Sequence, residues 1–200
     1  MSNRHKIVLA THNLDKQAEM NNVLSDLDLD LLTLNQFPEI GEIQETGSTL
    51  LENSFIKARA VFNITGLPSL ADDTGLEVEV LNGSPGVFSS RYAGENVTYE
   101  ENVHKILDDL KGVSHENRSA RFKTVITFIT SSIELSTDGQ LKGVITTEAR
   151  GSNGFGYDSI FLVDGMDLTL AEISPDKKNK ISHRAIALKK MKHIISKNIK

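Results

Sequence analysis

Asp72 and Asp73 are consecutive carboxylates placed directly after the apolar Leu70-Ala71, with Glu42 and Glu45 upstream of them. Two such neighbours repel one another and lose hydration as they are buried. A divalent cation would relieve that repulsion, and magnesium in particular takes one or two protein carboxylates together with phosphate oxygens of a substrate. An aspartate capping the N–H groups of a turn accounts for the same spacing equally well. In extended chain, successive side chains point to opposite faces, which would give the two carboxylates different jobs.

Three further groups of residues have chemical potential. Thr11, His12, Asn13 and Lys16 follow the apolar run Ile7 to Ala10 and open a helical pattern. Strand-to-helix turns bind phosphate because the first helical N–H groups lack internal partners and the helix dipole adds partial positive charge there. Thr11 and Asn13 offer hydrogen bonds, and Lys16 can reach a phosphate oxygen as a point charge. Gly151, Gly154 and Gly156 surround Asn153 and Phe155 and lead into Tyr157 and Asp158. Such a loop lets backbone approach a ligand while Phe155 or Tyr157 stacks on a base, and aromatic anchors packed into a core would look the same. The glycines precede a short strand instead of opening a helix, so a dinucleotide fingerprint does not fit. Ser182, His183 and Arg184 precede the last helical pattern, where they could equally be a cap and surface residues.

The elements that must position these residues alternate in type. Strands are expected at Ile7 to Ala10 and at Leu29 to Leu34, with a helix between them carrying Met20, Val23, Leu24 and Leu27 on one face. Thr49 and Glu52 form a capping box for a helix that presents Phe55, Ala58 and Phe62 and stops at Gly66. Leu70-Ala71 and the alternating Leu76, Val78 and Val80 suggest two strands meeting at an acidic turn. A helix starting at Thr98 carries Val103, Ile106, Leu107 and Leu110 to Gly112. Phe122 to Ile133 and Leu141 to Thr147 are rich in β-branched residues, with a turn predicted at Thr137-Asp138-Gly139. A short strand at Ile160 to Val163 and a helix with Leu188, Met191 and Ile195 on one face complete an α/β chain with a mixed sheet.

Composition narrows the classes. The 200 residues are 38% hydrophobic, enough for a proper core in one compact unit or two joined lobes. Cysteine is absent and histidines are scattered, so neither a disulfide framework nor a zinc spacing is expected, and no GxSxG nucleophile elbow occurs. Apolar runs such as Val125 to Ile129 are far below the ~20 residues of a membrane helix. The basic Met1 to Lys6 is not followed by an apolar stretch, so no secretory signal is expected and a cytoplasmic location is. A net charge of −5 argues against a protein that coats nucleic acid, while a local cluster such as the lysine-rich Lys177 to Lys200 still suits a small phosphorylated ligand or a solvated helix face.

Taken together and in order, the segments Ala10-Thr11-His12-Asn13-Leu14-Asp15-Lys16, Glu45-Thr46-Gly47, Glu52-Asn53, Lys57-Ala58, Ala71-Asp72-Asp73-Thr74-Gly75-Leu76, Pro85-Gly86-Val87, Ser90-Arg91-Tyr92-Ala93-Gly94, Gly154-Phe155-Gly156-Tyr157-Asp158 and Ile181-Ser182-His183-Arg184 resemble the inosine triphosphate pyrophosphatase family. The likeness runs from about Lys6 to about Ile195. It implies one two-lobed domain over residues 1–200 with an elongated, twisted mixed sheet flanked by helices, a substrate cleft between the lobes, and a homodimer.

The activity it implies is magnesium-dependent hydrolysis of inosine, deoxyinosine and xanthosine triphosphates (ITP, dITP, XTP) to the monophosphate and pyrophosphate. By the same resemblance, Thr11, His12, Asn13 and Lys16 hold the triphosphate with Thr74 beside it, Glu45 and Asp73 serve the metal, and Asp73 is the general base. Phe155, Gly156, Tyr157 and Asp158, with Lys178, His183 and Arg184, form the nucleobase pocket. The chain departs from the family pattern with Asp15 for a glycine, Thr74 for a serine and Ser159 for a proline, and the charge of Asp15 near a phosphate site is the departure of consequence. The rival expectations are a pyrophosphatase for modified pyrimidine nucleotides and a non-catalytic nucleotide sensor on the same fold.

Overall fold

The computed structural model describes residues 4–199; the first three residues of the basic N-terminal stretch and Lys200 lie outside them. Six strands form one mixed sheet in the order β2-β1-β3-β4-β5-β6, comprising β1 His5–Leu9, β2 Leu29–Thr33, β3 Ser69–Val78, β4 Ser119–Ile129, β5 Glu134–Ile145 and β6 Phe161–Val163. β1 runs parallel to both β2 and β3, and β5 runs antiparallel to β6. The helices are α1 Leu14–Leu24, α2 Leu50–Thr65, α3 Tyr99–Asp109, α4 Pro175–Ile181 and α5 His183–Asn198. The α/β class and mixed sheet expected from the sequence are present. Among the described residues no helix is long and apolar enough to cross a membrane.

The chain divides into two compact units. One comprises Met1–Asp73, Thr124–Gly139 and Arg184–Lys200, the other Thr74–Lys123 and Gln140–His183. In the first unit β1 is buried on both faces, which is why its sequence is a continuous apolar run. Ile7 and Leu9 join Met20, Leu24, Leu70, Leu188, Met191 and Ile195 in one cluster with α1 and α5, while Val8 and Ala10 join Ala58, Val61 and Ala71 in a second cluster with α2. In the second unit Leu76, Val78, Val103, Ile106, Phe122, Tyr157 and Phe161 share a single core.

Capping chemistry set the helix starts, at Thr49 and Thr98 as expected and at Asn13 in addition. Asn13 accepts from the Lys16 N–H, and Thr49 and Thr98 form complete capping boxes with Glu52 and Glu101. Gly66, in the left-handed region at φ 66°, ends α2.

Two expectations about turns are corrected. Ser69–Val78 is one uninterrupted strand, so Asp72 and Asp73 sit inside it and no acidic turn exists. Thr137-Asp138-Gly139 likewise lies within β5, where the Thr137 hydroxyl donates to the Ala187 carbonyl and Lys190 donates to the Asp138 carbonyl, pinning the segment to α5. The turn between β4 and β5 is made at Thr130, whose hydroxyl oxygen accepts from the Ser132 and Ile133 N–H groups. The face of α2 is also rotated from expectation: Leu50, Asn53, Ser54, Lys57, Ala58 and Val61 are buried, while Phe55 and Phe62 are only partly so.

Candidate active site

In the first unit, β3 delivers two carboxylates to two different faces. Leu70 packs with α1 and α5, so Asp72, two residues on, reaches that face; Ala71 packs with α2, so Asp73 reaches the other. Asp72 is fully buried between cations, with Oδ1 3.2 Å from Lys16 Nζ and Oδ2 3.1 and 3.0 Å from Arg184 Nε and Nη2. Arg184 completes its fork on Glu19. Burial alone would raise the Asp72 carboxyl, but Lys16 and Arg184, with Lys57, hold it below the usual carboxylate range. Burial conversely lowers the Lys16 ammonium, against the pull of Asp72.

Asp73 has the opposite balance. Burial raises its carboxyl above the ordinary value, and Glu45 adds to the rise, while Lys57 opposes it. Lys57 Nζ is 2.5 Å from Glu45 Oε1 and 3.3 Å from Asp73 Oδ1, so Glu45 and Asp73 converge on one cation. Glu19, Glu45, Asp72 and Asp73 therefore face Lys16, Lys57 and Arg184, four carboxylates against three cations. The excess negative charge falls on the Asp73 side, where a hard cation could be held by Glu45 and Asp73.

The turn before α1 is itself ordered by hydrogen bonds. Asn13 Oδ1 caps the helix through the Lys16 N–H at 3.0 Å, the Asn13 N–H donates to Thr11 Oγ1 at 3.2 Å, and Gln17 Nε2 donates to the Thr11 carbonyl at 2.9 Å. His12 is exposed and its Nε2 donates to the Gly41 carbonyl at 3.2 Å. Asp15 is exposed in the first turn of α1, where a negative charge is favoured by the helix dipole. That location gives the departure from glycine a structural reason.

The second unit organises the glycine-rich loop. Gly154, at φ +74°, would bring a Cβ to 2.1 Å from Asp158 Oδ2, so only glycine lets that carboxylate fold back under the loop. Asp158 Oδ2 accepts the Phe155 N–H at 2.9 Å and pairs with Lys178, both carboxylate and ammonium being buried. Lys178 Nζ stands 4.5 Å over the Phe155 ring, and the Tyr99 ring tilts against Phe155 at 5.8 Å. A cavity of about 610 Å³ is lined by Tyr99, Val103, His104, Asn153, Phe155 and Asp158 among others.

Tyr157 is buried in the core and donates its hydroxyl to the Ser89 carbonyl at 2.8 Å. His183 is buried and stacked on Phe122 at 4.5 Å. Thr74 lies in β3 directly after Asp73, and the next residue, Gly75, would place a Cβ 2.5 Å from the Gly86 carbonyl oxygen. The structure thus groups Lys16, Asp72 and Arg184 in the first unit, with Glu45 and Asp73 around Lys57. Phe155, Asp158 and Lys178 come together in the second. Gly156 begins the short helical turn that contains Tyr157 and Asp158.

Lys57 and Glu19 were not singled out from the sequence as members of a site. A signal for Lys57 existed: with Asn53, Ser54, Ala58 and Val61 it occupies the core-facing stripe of α2, and a buried lysine needs carboxylate partners. Glu19 lacked one, because Arg184, which it meets in the fold, lies 165 residues away in sequence.

Comparison with known proteins places the chain in a family. The model of the Ham1 family matches residues 7–194. A dITP/XTP pyrophosphatase from Thermoanaerobacter pseudethanolicus is 46% identical over 194 residues, covering 97% of this chain and 98% of the relative. One of the same name from Coxiella burnetii is 45% identical over 96% of each chain. The solved structure of a HAM1 protein from Coxiella burnetii superposes with a TM-score of 0.88 at 44% identity, covering 96% of this chain and 99% of that one. A nucleoside-triphosphatase, dITP/XTP pyrophosphatase, from Mycobacterium abscessus gives 0.76 at 38% identity over 93% and 98%. The chain belongs to the Ham1 family, and the family resemblance read from its motifs is borne out.

Proposed function

We propose that this protein hydrolyses ITP, dITP and XTP to the nucleoside monophosphate and pyrophosphate, removing non-canonical purines from the nucleotide pool. The observation that carries the reading is the division of labour on β3, where Asp72 is locked as an anion between Lys16 and Arg184 on one face while Asp73 meets Glu45 around Lys57 on the other. The names of the full-length relatives support the substrate class.

The cofactor in this reading is Mg²⁺. Glu45 and Asp73 offer hard oxygen donors that already converge on one cation, in a cluster with more carboxylates than cations. Among the described residues no group of three or more histidine and acidic side chains forms a self-sufficient metal cage. That donor set suits magnesium, which completes its shell with substrate phosphates and water. When bound, the ion neutralises phosphate charge and lowers the cost of the leaving pyrophosphate.

Asp73 accepts a proton from the water whose oxygen forms the new bond to the α-phosphorus. The bond from that phosphorus to the bridging oxygen breaks, and the electron pair leaves on pyrophosphate. Lys16 and the N-terminal turn of α1 with Thr11, His12 and Asn13 hold the phosphates, Thr74 lies beside them, and Lys57 supplies further positive charge. Phe155 offers a face for the base, Gly156, Tyr157, Asp158, Lys178 and His183 build its surroundings, and Arg184, whose guanidinium is taken up by Asp72 and Glu19, acts through Asp72. The reading includes a homodimer, as the family resemblance implies, and a cytoplasmic location, and a net charge of −5 supports a small-molecule substrate over nucleic acid.

The test is product identity. Chromatography of an ITP reaction is expected to show inosine monophosphate and pyrophosphate in equal amounts. Inosine diphosphate with orthophosphate would reject the reading.

A further inference from the structure

Glu45 lies in a stretch, 41–47, that is neither helix nor strand, yet the stretch is tied at both ends. At one end His12 holds the Gly41 carbonyl at 3.2 Å, and at the other the Gly47 N–H donates to Asn53 Oδ1 at 2.8 Å. Asn53 is completely buried in the first turns of α2, one turn before Lys57. Among the described residues no protein group accepts from its Nδ2, so the contact to Gly47 is what its amide contributes in hydrogen bonding. A Cβ on Gly47 would come within 2.6 Å of Glu52 Cβ and 2.7 Å of Asn53 Oδ1, so loop and helix touch with no room for a side chain. The helix start does not depend on this contact, because Thr49 and Glu52 cap it through their own reciprocal bonds.

We infer that Asn53 is a positioning residue for Glu45. By holding Gly47 against α2, it fixes the carboxylate on Lys57 and beside Asp73, in place of an ensemble of loop conformations. Groups that orient a ligand in this manner typically change metal affinity or activity by about 10- to 100-fold when removed. The inference rests on the reading of Glu45 as a metal ligand in the proposed function.

The experiment compares full-length wild type, Asn53→Ala and Gly47→Ala, the second reaching the same contact from the loop side. Amide hydrogen exchange across residues 44–47 is read together with the Mg²⁺ concentration giving half-maximal rate. Asn53→Ala is expected to speed exchange of the Gly47 amide, and both variants to raise half-saturating Mg²⁺ about tenfold, with the α2 amides still protected. Unchanged Gly47 exchange in Asn53→Ala, or quickened exchange with wild-type Mg²⁺ dependence in both variants, overturns the inference. Glu45→Gln run alongside separates the two ideas: a wild-type Mg²⁺ requirement there counts against the metal reading, whereas the exchange data judge the positioning itself.

Discussion

Asp72 and Asp73 are adjacent in β3 and are held by different partners on opposite faces of the strand. Asp72 meets Lys16 and Arg184 on the side packed by α1 and α5, and Asp73 meets Lys57 and Glu45 on the side packed by α2. The alternation of a β-strand turns one dipeptide into two carboxylates of opposite character. One is stabilised as an anion, and the other has its proton affinity raised by burial.

Asp73→Asn should abolish activity while leaving the fold intact, since the amide neither takes a proton nor balances a metal charge. Steady-state rates against circular-dichroism melting check this. Retention of more than about a tenth of the wild-type rate, a loss under ~1.4 kcal/mol of transition-state stabilisation, would remove Asp73 from its role. Glu45→Gln is expected to be severely impaired as well.

Lys57 bears on the same carboxyl. Burial raises Asp73 and Lys57 is the largest opposing influence, so Lys57→Met should raise it further. The acid limb of kcat/KM, which reports the free enzyme, should therefore move to higher pH at fixed Mg²⁺. A limb that stays in place or moves down would show that another group controls it.

Arg184 and Asp72 form a buried pair, and removing one partner leaves the other charge uncompensated. Arg184→Leu should cost about 3 to 5 kcal/mol in urea unfolding. The pH dependence follows from Asp72, whose folded value lies below the ordinary aspartate value of 3.8. The unfolded chain binds this proton first as pH drops, so the Asp72 contribution is present above about 3.8 and is lost as pH falls toward the folded value. Wild type should lose urea resistance through that window, and Asp72→Asn should lose less. Equal losses in the two proteins would contradict the assignment.

The fold was legible where local chemistry decides structure. Capping boxes at Thr49 and Thr98, the stop at Gly66 and the apolar run of β1 were all readable. It was not legible where distant partners override local signals. Asp72 and Asp73 look like a turn because nothing nearby in sequence shows that Arg184, 112 residues on, and Lys57 will satisfy them within a strand. Thr137-Asp138-Gly139 has hairpin chemistry, yet it is held straight by Ala187 and Lys190 on α5. For the site, the motif order pointed to the residues, but not to Lys57 as the ammonium joining Glu45 to Asp73, nor to the Asp158 carboxylate folded beneath Gly154.

The central claim is a site built for 6-oxo purines. Hypoxanthine and xanthine present an acceptor at position 6, where adenine presents an amino donor. A donor turned toward position 6, such as an N–H of the Lys178 ammonium that Asp158 holds over Phe155, would meet no acceptor on adenine there. That costs roughly 1 to 3 kcal/mol for each neutral group and more for a charged one, and sites of this type can reject such analogues strongly. The deciding measurement is kcat/KM for ITP, XTP and ATP on the same preparation, with Lys178→Ala alongside. ITP and XTP are predicted to be turned over efficiently, ATP very poorly, and Lys178→Ala to narrow the gap; equal kcat/KM for ATP and ITP in the wild type would contradict the account.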